Sequence, residues 1–580
     1  MADVNYWTTR GISRRAVIRG AAVAGAGMAG AALIGCGGGD DEPAAPAATA
    51  AGGGAGAASA TATATEAAAA STGPVKGGTL RFASGSAIAH FDPHQSVTPA
   101  SQTNLWHLIG NQLVRMHSAK LLVEGDLAMS WEIPDPQTFT FKLHPDAKWG
   151  AEAPLNGRQI TAEDVVYSLK RTATDDVLYV RKSQYSNVQS FDAVDDTTVR
   201  LVLSEPSVPF LATLGDVYET VVAREVVEQH GDLKLVESAH GGGPFIVDKA
   251  SFDKEIGGRF QRNPNYFKKD EAGTQLPYLD GIEYQFIGDA SALYAALSTG
   301  KVDVGGVAPE NEEDFRKGNA DWQFNEIKGL SRDGLLLNTT KEPFNDIRVR
   351  QALSYALDRN LIRSLGRGRG ELTPAVSPAM EFWTLPPAEL ATFPGFKGAD
   401  DKAGLEADRV EAKKLYDAAG VTIDMPMETT TAYSYNLLAE TAIPQLEQVL
   451  GAKFAITLLE WGVLKEHEAA GTQTIGASNW YSGPEPDLHL FLYHHRDGGR
   501  NYSKLDDPDL NSLIEQQRVE FDMAARQDLI YKAQRRQLEL SAPVWIIAPG
   551  GLSVQAPYVR NYGARPVAAN WDNETVWFQA

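Results

Sequence analysis

Apolar and polar residues alternate at several places with the two-residue period of a half-buried strand, first at Gly77-Gly78-Thr79-Leu80-Arg81-Phe82. Trp131–Leu143 carries the same signal, with Thr138 to Leu143 alternating cleanly, and Val199–Leu203 and Ile282–Phe286 repeat it. Between these runs the period lengthens to that of a helix. Thr161-Ala162-Glu163-Asp164 predicts a helix start, with Thr161 as cap, Asp164 as the answering acid and Val165, Val166 and Leu169 as the apolar face. A longer amphipathic helix is predicted from Ile347 to Leu365, with Leu353, Ala356, Leu357, Leu361 and Ile362 on one face and Gly366 as terminator. Strands and helices alternate without internal repeats, which predicts an α/β architecture.

The first 76 residues follow neither period. Ser13-Arg14-Arg15 precedes an uncharged stretch, Gly20–Gly35, in the order of an export signal's charged and apolar regions. The paired arginines and the five glycines of that stretch resemble a Tat signal. Its sixteen residues fall short of the roughly 20 apolar residues of a membrane-spanning helix. Gly25, Gly27 and Gly30 spell a GxGxxG with no strand before it, so no dinucleotide site is read there. Leu33-Ile34-Gly35-Cys36 resembles a bacterial lipobox, which implies cleavage before Cys36 and lipidation of its thiol. Residues 37–76 are Ala, Gly, Thr, Ser and Pro with a small acidic cluster, a composition unable to bury a core and expected to act as a flexible tether.

Charge and cysteine content narrow the classes. The 580 residues carry a net charge of −21, and the N-terminal 36 contribute +3, leaving −24 for the rest. So acidic a surface repels phosphate backbones and argues against a nucleic-acid partner. Cys36 is the only cysteine, which excludes an intramolecular disulfide and a cysteine zinc site. The length exceeds what one hydrophobic core supports, so at least two packed units are expected.

Seven segments then carry a family resemblance. They are Gly77–Leu80, Leu127–Trp131, Thr161–Arg171 (TAEDVVYSLKR), Gly242-Gly243-Pro244-Phe245, Asn263-Pro264-Asn265-Tyr266-Phe267, Ala296–Asp303 and Asn338–Asn360. In this order they resemble the family 5 extracellular solute-binding proteins, the peptide, nickel and oligosaccharide receptors of ABC importers. The resemblance implies a two-lobed periplasmic-binding-protein-like α/β fold of type II, in its large three-subdomain form. It places lobe 1 at 77–328 with a C-terminal return at 549–580, and lobe 2 at 329–548, hinged near Gly329 and Pro549-Gly550-Gly551. It further implies a monomer without cofactor, lipid-anchored at Cys36 in the periplasmic space or on the outer face of the cytoplasmic membrane. Such a receptor delivers a small-molecule ligand, with peptides the leading class, to permease subunits.

Two stretches are expected to line the ligand cleft. One is the loop Ala83–Pro93, with Ser84, Gly85 and Ser86; the other is Ser478–His495, with Trp480, Tyr481, Ser482, Gly483, Glu485 and Asp487. The alternative reading of Trp480 and Tyr481 is core packing between the lobes. In the family's peptide-binding branches an aspartate shortly after the tryptophan pairs with the ligand ammonium. Here that position is Gly483; Glu485 and Asp487 are substitutes, though Glu485-Pro486-Asp487 also resembles a structural turn. Sugars, opine-like compounds and metal chelates therefore remain as ligand alternatives. His489, His494 and His495 are read as surface or cleft-wall residues rather than metal ligands, and Gly366-Arg367-Gly368-Arg369-Gly370 as a solvated loop. A secreted hydrolase is the rival class, but the sequence holds no GxSxG, HExxH or Walker A motif and no cysteine nucleophile outside the lipobox.

Overall fold

The computed structural model describes residues 73–579 apart from 86–87, 89, 97–104, 118–120, 177, 180, 254, 367, 432–434, 482 and 563–570. The signal, Cys36, nearly all of the tether, Ser86 and Ser482 lie outside the described residues.

Three sheets carry the body. A seven-stranded sheet has the order Gln323–Ile327, Gly551–Gln555, Val304–Gly306, Thr79–Ser84, Gly281–Phe286, Gly257–Arg262, Phe245–Asp253. A six-stranded sheet runs Gly370–Leu372, Val544–Pro549, Arg332–Leu337, Ile475–Trp480, Asp424–Thr429, Lys453–Leu458. A four-stranded antiparallel sheet contains Ala128–Asp135, Thr138–Leu143, Thr198–Leu203 and Val188–Asp195. Its alternation is the one read from sequence: Phe139, Phe141 and Leu143 are buried while Lys142 is exposed. One hydrophobic core joins the seven- and four-stranded sheets, with Leu80, Phe141 and Tyr284 among its members; a second sits on the six-stranded sheet around Leu335, Leu353 and Ile546.

Six strands position the site: β1 (Thr79–Ser84), β2 (Gln323–Ile327), β3 (Arg332–Leu337), β4 (Ile475–Trp480), β5 (Val544–Pro549) and β6 (Gly551–Gln555). β2 and β6 belong to the seven-stranded sheet, β3 and β5 to the six-stranded one. The chain therefore passes between sheets twice, over 328–331 and at Gly550. The two crossings are in close contact. A Cβ on Gly329 would sit 1.9 Å from the Pro549 carbonyl oxygen, and one on Gly550 would sit 2.8 Å from that of Ile327. Glycine is required here for close approach of backbone to backbone.

Helix α1 (Ala162–Thr172) begins as the sequence predicts, with the Asp164 carboxylate accepting the Thr161 backbone N–H at 2.9 Å. The single helix predicted over 347–365 is instead two, α2 (Ile347–Ala356) and α3 (Arg359–Gly366). Leu357 is extended, at φ −85° and ψ 127°, and Asp358 caps the second helix by accepting from the Leu361 N–H at 3.0 Å. The break lets the fully buried Arg359 guanidinium reach the carbonyl oxygens of Ser354, Gly395 and Trp545 at 2.8–2.9 Å. A helical wheel assigns a cation to the outside; here backbone acceptors inside the protein hold it, while Leu361, placed by the wheel on the apolar face, is exposed.

Candidate ligand cleft

Strand registers bring the two predicted stretches to edges beside the crossings. β4 is antiparallel to β3 with Trp480 opposite Arg332, the first residue after the crossing. Trp480 and the turn that follows it thus leave the six-stranded sheet on its crossing side. In the other sheet β1 is parallel to Val304–Gly306, and Gly306 pairs with Ser553, near the start of β6. Ser84 and Gly85 therefore leave the seven-stranded sheet on its crossing side as well.

The loop after β1 is tied down at its base. Trp106 Nε1 donates to the Phe91 carbonyl at 2.7 Å, His94 Nε2 bonds the Thr220 carbonyl at 2.9 Å, and Asp92 is clamped by Arg171 of α1. The TAED helix thus anchors this loop. Burial lowers the His94 imidazole to about 4, so it is neutral at physiological pH.

In the second stretch Trp480 and Tyr481 divide. Trp480 is buried and meets Trp545 edge-to-face with centroids 5.1 Å apart at 80°. Tyr481 is 54% exposed, although surrounding protein raises its phenol pKa. The charges that reach it include Asp216 and Arg181, which come from the part of the chain carrying the four-stranded sheet. The Tyr481 ring is thus open to water at the crossing-side edge of the six-stranded sheet. Its carbonyl accepts from the Tyr493 hydroxyl at 2.6 Å.

The acids after Tyr481 are already partnered. Gly483 accepts from His489 Nε2 at 3.0 Å. Glu485 is buried, caps α4 (Pro486–His494) through the Asp487 N–H and forms an ion pair with the buried Arg526. Asp487 accepts from Gln517 Nε2 at 2.6 Å and faces Arg518 Nε at 3.3 Å; burial raises its carboxyl despite the Arg518 charge. Both acids border a cavity of about 230 Å³ whose opposite wall includes Gln184, Phe210 and Asp216.

Two expectations about neighbouring features are corrected. His489, His494 and His495 are buried, not on the surface, because the segment is helical and turns them inward. Burial beside Arg332 keeps His489 and His494 neutral, and His495 pairs with Glu515 at 3.1 Å. Among the described residues no cluster of three His, Cys, Asp or Glu has metal-binding geometry. In the 366–370 loop Arg369 is not free in solvent, since it pairs with Glu312 and Glu326 across the crossing.

Sequence reasoning named neither of two arginines held by aromatic residues. Arg181 stacks on the Tyr218 ring 3.1 Å from its centroid, and Arg500 Nη1 donates to the Tyr493 hydroxyl at 3.1 Å. The available signal was the aromatic and basic content of 493–502, which continues the Trp480-Tyr481 pattern.

The fold and its cleft define a class, the two-lobed mixed α/β binding proteins of the periplasmic type. HbpA2 from Haemophilus parasuis superposes with a TM-score of 0.74 at 23% identity, covering 87% of this chain and all of that one, a likeness of fold. The family model "Bacterial extracellular solute-binding proteins, family 5 Middle" matches residues 123–503. The chain belongs to this family, whose members are transport receptors rather than enzymes. It is similar to the dipeptide-binding protein of Escherichia coli K12, at 27% identity over 82% of this chain and 90% of the relative. It is likewise similar to the heme-binding protein A of Haemophilus influenzae, at 26% identity over 84% and 90%.

Proposed function

We propose that this chain is the substrate-binding lipoprotein of an ABC importer, exported through its Tat-like signal, anchored by lipid on Cys36 and held to the membrane by the 37–76 tether. Lobe 1 comprises 77–328 with 549–580, lobe 2 comprises 329–548, and Gly329 and Gly550 lie in the hinge. A small ligand, an oligopeptide or dipeptide first among the candidates, binds between Ser84, Gly85 and Ser86 on one side and Tyr481, Ser482 and Gly483 on the other, with the buried Trp480 packed behind them. Glu485 and Asp487 support the wall from behind. The closed form delivers the ligand to the permease.

The observation that carries this reading is the cavity bordered by Pro484, Glu485 and Asp487 on one side and Gln184, Phe210 and Asp216 on the other, with Tyr481 exposed at the crossing-side edge of its sheet. Closure requires a ligand that contacts the closed form better than the open one. Thermal shift and intrinsic fluorescence against a library of peptides, opine-type acids and oligosaccharides test it. The expected result is a ligand-dependent rise in Tm without turnover; turnover of any library member ends the receptor reading. Retention of a Cys36→Ala variant in the membrane fraction ends the anchor reading separately.

The second reading, a non-peptide ligand, is favoured by one observation. Gly483 stands where an acid is expected, and Glu485 and Asp487 are engaged with Arg526 and Arg518.

A further inference from the structure

We infer that the glycine-rich loop 366–370 is an ionic strap beside the two crossings: Arg369 of one lobe is held by Glu312 and Glu326 of the other, and the pairing restrains lobe movement. This rests on the two-lobed receptor reading. It adds a determinant of lobe opening that shares no residue with the cavity proposed for the ligand.

Arg369 leads into the strand Gly370–Leu372, which pairs with β5 in the six-stranded sheet. Its acids come from the far side of the crossings. Glu326 is on β2 of the seven-stranded sheet, and Glu312 opens the helix Glu312–Gly318. Arg369 Nη1 meets Glu326 Oε1 at 3.2 Å, and Nη2 pairs with Glu312 Oε2. The Arg369 and Glu312 side chains are only 15% and 19% exposed, so water and salt screen this pair less than an open surface pair. Lys328, in the first crossing, also reaches lobe 2, at 2.8 Å from Glu381 and 3.5 Å from Glu371, but both of those acids are exposed and such pairs contribute little.

Both ends of the strap are fixed. Glu312 Oε1 accepts from Arg316 Nε at 2.7 Å, and the Arg316 guanidinium lies 4.0 Å from the centroid of the Phe324 ring on β2. Phe315 of the same helix is buried edge-on to Trp322 and Phe324, which secures the helix to the seven-stranded sheet. On the basic side Gly368 and Gly370 flank Arg369 at φ +67° and +127°, a bend that favours glycine. A Cβ on Gly370 would sit 2.3 Å from the Ala548 carbonyl oxygen, so this end lies directly against β5. A side chain anchored in this way keeps its partners only while β2 and β5 hold their present spacing, and that spacing is what a hinge motion changes.

Between the strap and the crossings lies a cavity of about 100 Å³, bordered by Lys328, Gly329, Arg369, Gly370, Gly550 and Gly551. Packing is therefore incomplete on this side of the crossings, and the charge pair bridges the gap.

Hydrogen exchange of the full chain, read by mass spectrometry, reports opening at the crossings through peptides covering 326–332 and 547–552. Arg369→Gln is expected to speed exchange there by about 3- to 30-fold, the range of a coupled contact. Glu312→Gln gives a similar gain, and the double variant adds little to either, because both break one pair. Lys328→Gln, which removes only exposed pairs, stays within about 2-fold of the parent. Unchanged exchange in Arg369→Gln, fully additive gains in the double variant, or faster exchange confined to 366–370 overturns the strap. Should Arg369→Gln not fold, Glu312→Gln decides by the same readout. The receptor reading is judged apart from this, by the ligand library: a ligand-dependent rise in the parent's Tm keeps it whatever the exchange shows.

Discussion

Arg171 grips Asp92 with both ends of its guanidinium, Nη1 to Oδ1 at 3.0 Å and Nη2 to Oδ2 at 2.5 Å, and both side chains are buried. The pair joins α1 to the loop after β1, although 79 residues separate its members. Asp92 also receives the N–H groups of His94, Gln95 and Leu233 at 3.0–3.3 Å, so one carboxylate organises the loop.

Removing one member leaves the other charged and buried. Arg171→Ala is expected to cost about 3–5 kcal/mol, seen as a fall in Tm, and to loosen the loop enough to weaken ligand binding. Burial pushes the Asp92 carboxyl up, while the hydrogen bonds and charge of Arg171 outweigh it and hold it below its ordinary value. A carboxyl lowered in the folded state stabilises fully above its unfolded pKa and loses that contribution as pH falls through the folded one. The variant should therefore lose the part of the parent's acid sensitivity that falls below about pH 4. Melting within 1 °C of the parent refutes the anchoring role.

The motif holding Arg171 was legible in sequence because its helix start is local chemistry: a cap, an acid three residues on, and an apolar face. Arg171's partner was not, because Asp92 lies in a loop and only the fold brings the two together. The same division runs through the cleft. Trp480 and Tyr481 stand out as neighbouring aromatics, but their opposite fates depend on Trp545, which arrives from β5. Arg359 shows how the periodic reading failed, since a cation held by three backbone carbonyls leaves no trace in a hydrophobic pattern.

The two crossings predict a paired glycine experiment. Gly329→Ala sets a Cβ 1.9 Å from the Pro549 carbonyl oxygen, which neither crossing can avoid without moving apart. About 1–3 kcal/mol of destabilisation is expected, as for other overpacked sites. At Gly551 a Cβ finds its nearest neighbours in the Ile327 side chain at 3.8 Å, an ordinary contact. Gly551→Ala should therefore melt close to the parent, and equal Tm losses for the two variants would contradict the close-approach argument.

Trp480 and Tyr481 should separate stability from binding. Trp480→Ala vacates a buried site against Trp545 and is expected to cost about 3–5 kcal/mol. Tyr481→Ala removes an exposed ring, should leave the ligand-free Tm within about 0.5 kcal/mol equivalent, and should weaken ligand affinity. Calorimetric titration of both variants with a verified ligand checks this. A Tyr481→Ala protein that binds as the parent does would remove Tyr481 from the cleft wall.

Glu219 gives the protein a pH dependence opposite in sign to that of Asp92. It is fully enclosed, its carboxyl is raised to about 8 by burial, and the Asp216 charge adds to the rise while the Tyr185 hydroxyl and Arg181 oppose it. The folded state therefore holds this proton more tightly than the unfolded chain, whose carboxyl titrates near 4.5. Stability from this group is complete below that value, declines as pH rises towards about 8, and levels off above it. Glu219→Gln keeps the shape without the titration, so its Tm should fall less than the parent's between pH 5 and about 8. The relative gain at the alkaline end is on the order of a few kcal/mol. The lowered His94 changes stability between its ordinary 6.5 and about 4, and because parent and variant share it the comparison cancels its effect. Parallel Tm curves for parent and variant between pH 5 and 9 would mean that Glu219 ionises in the folded protein at no cost, and that the wall beside Asp216 is wetter than its burial implies.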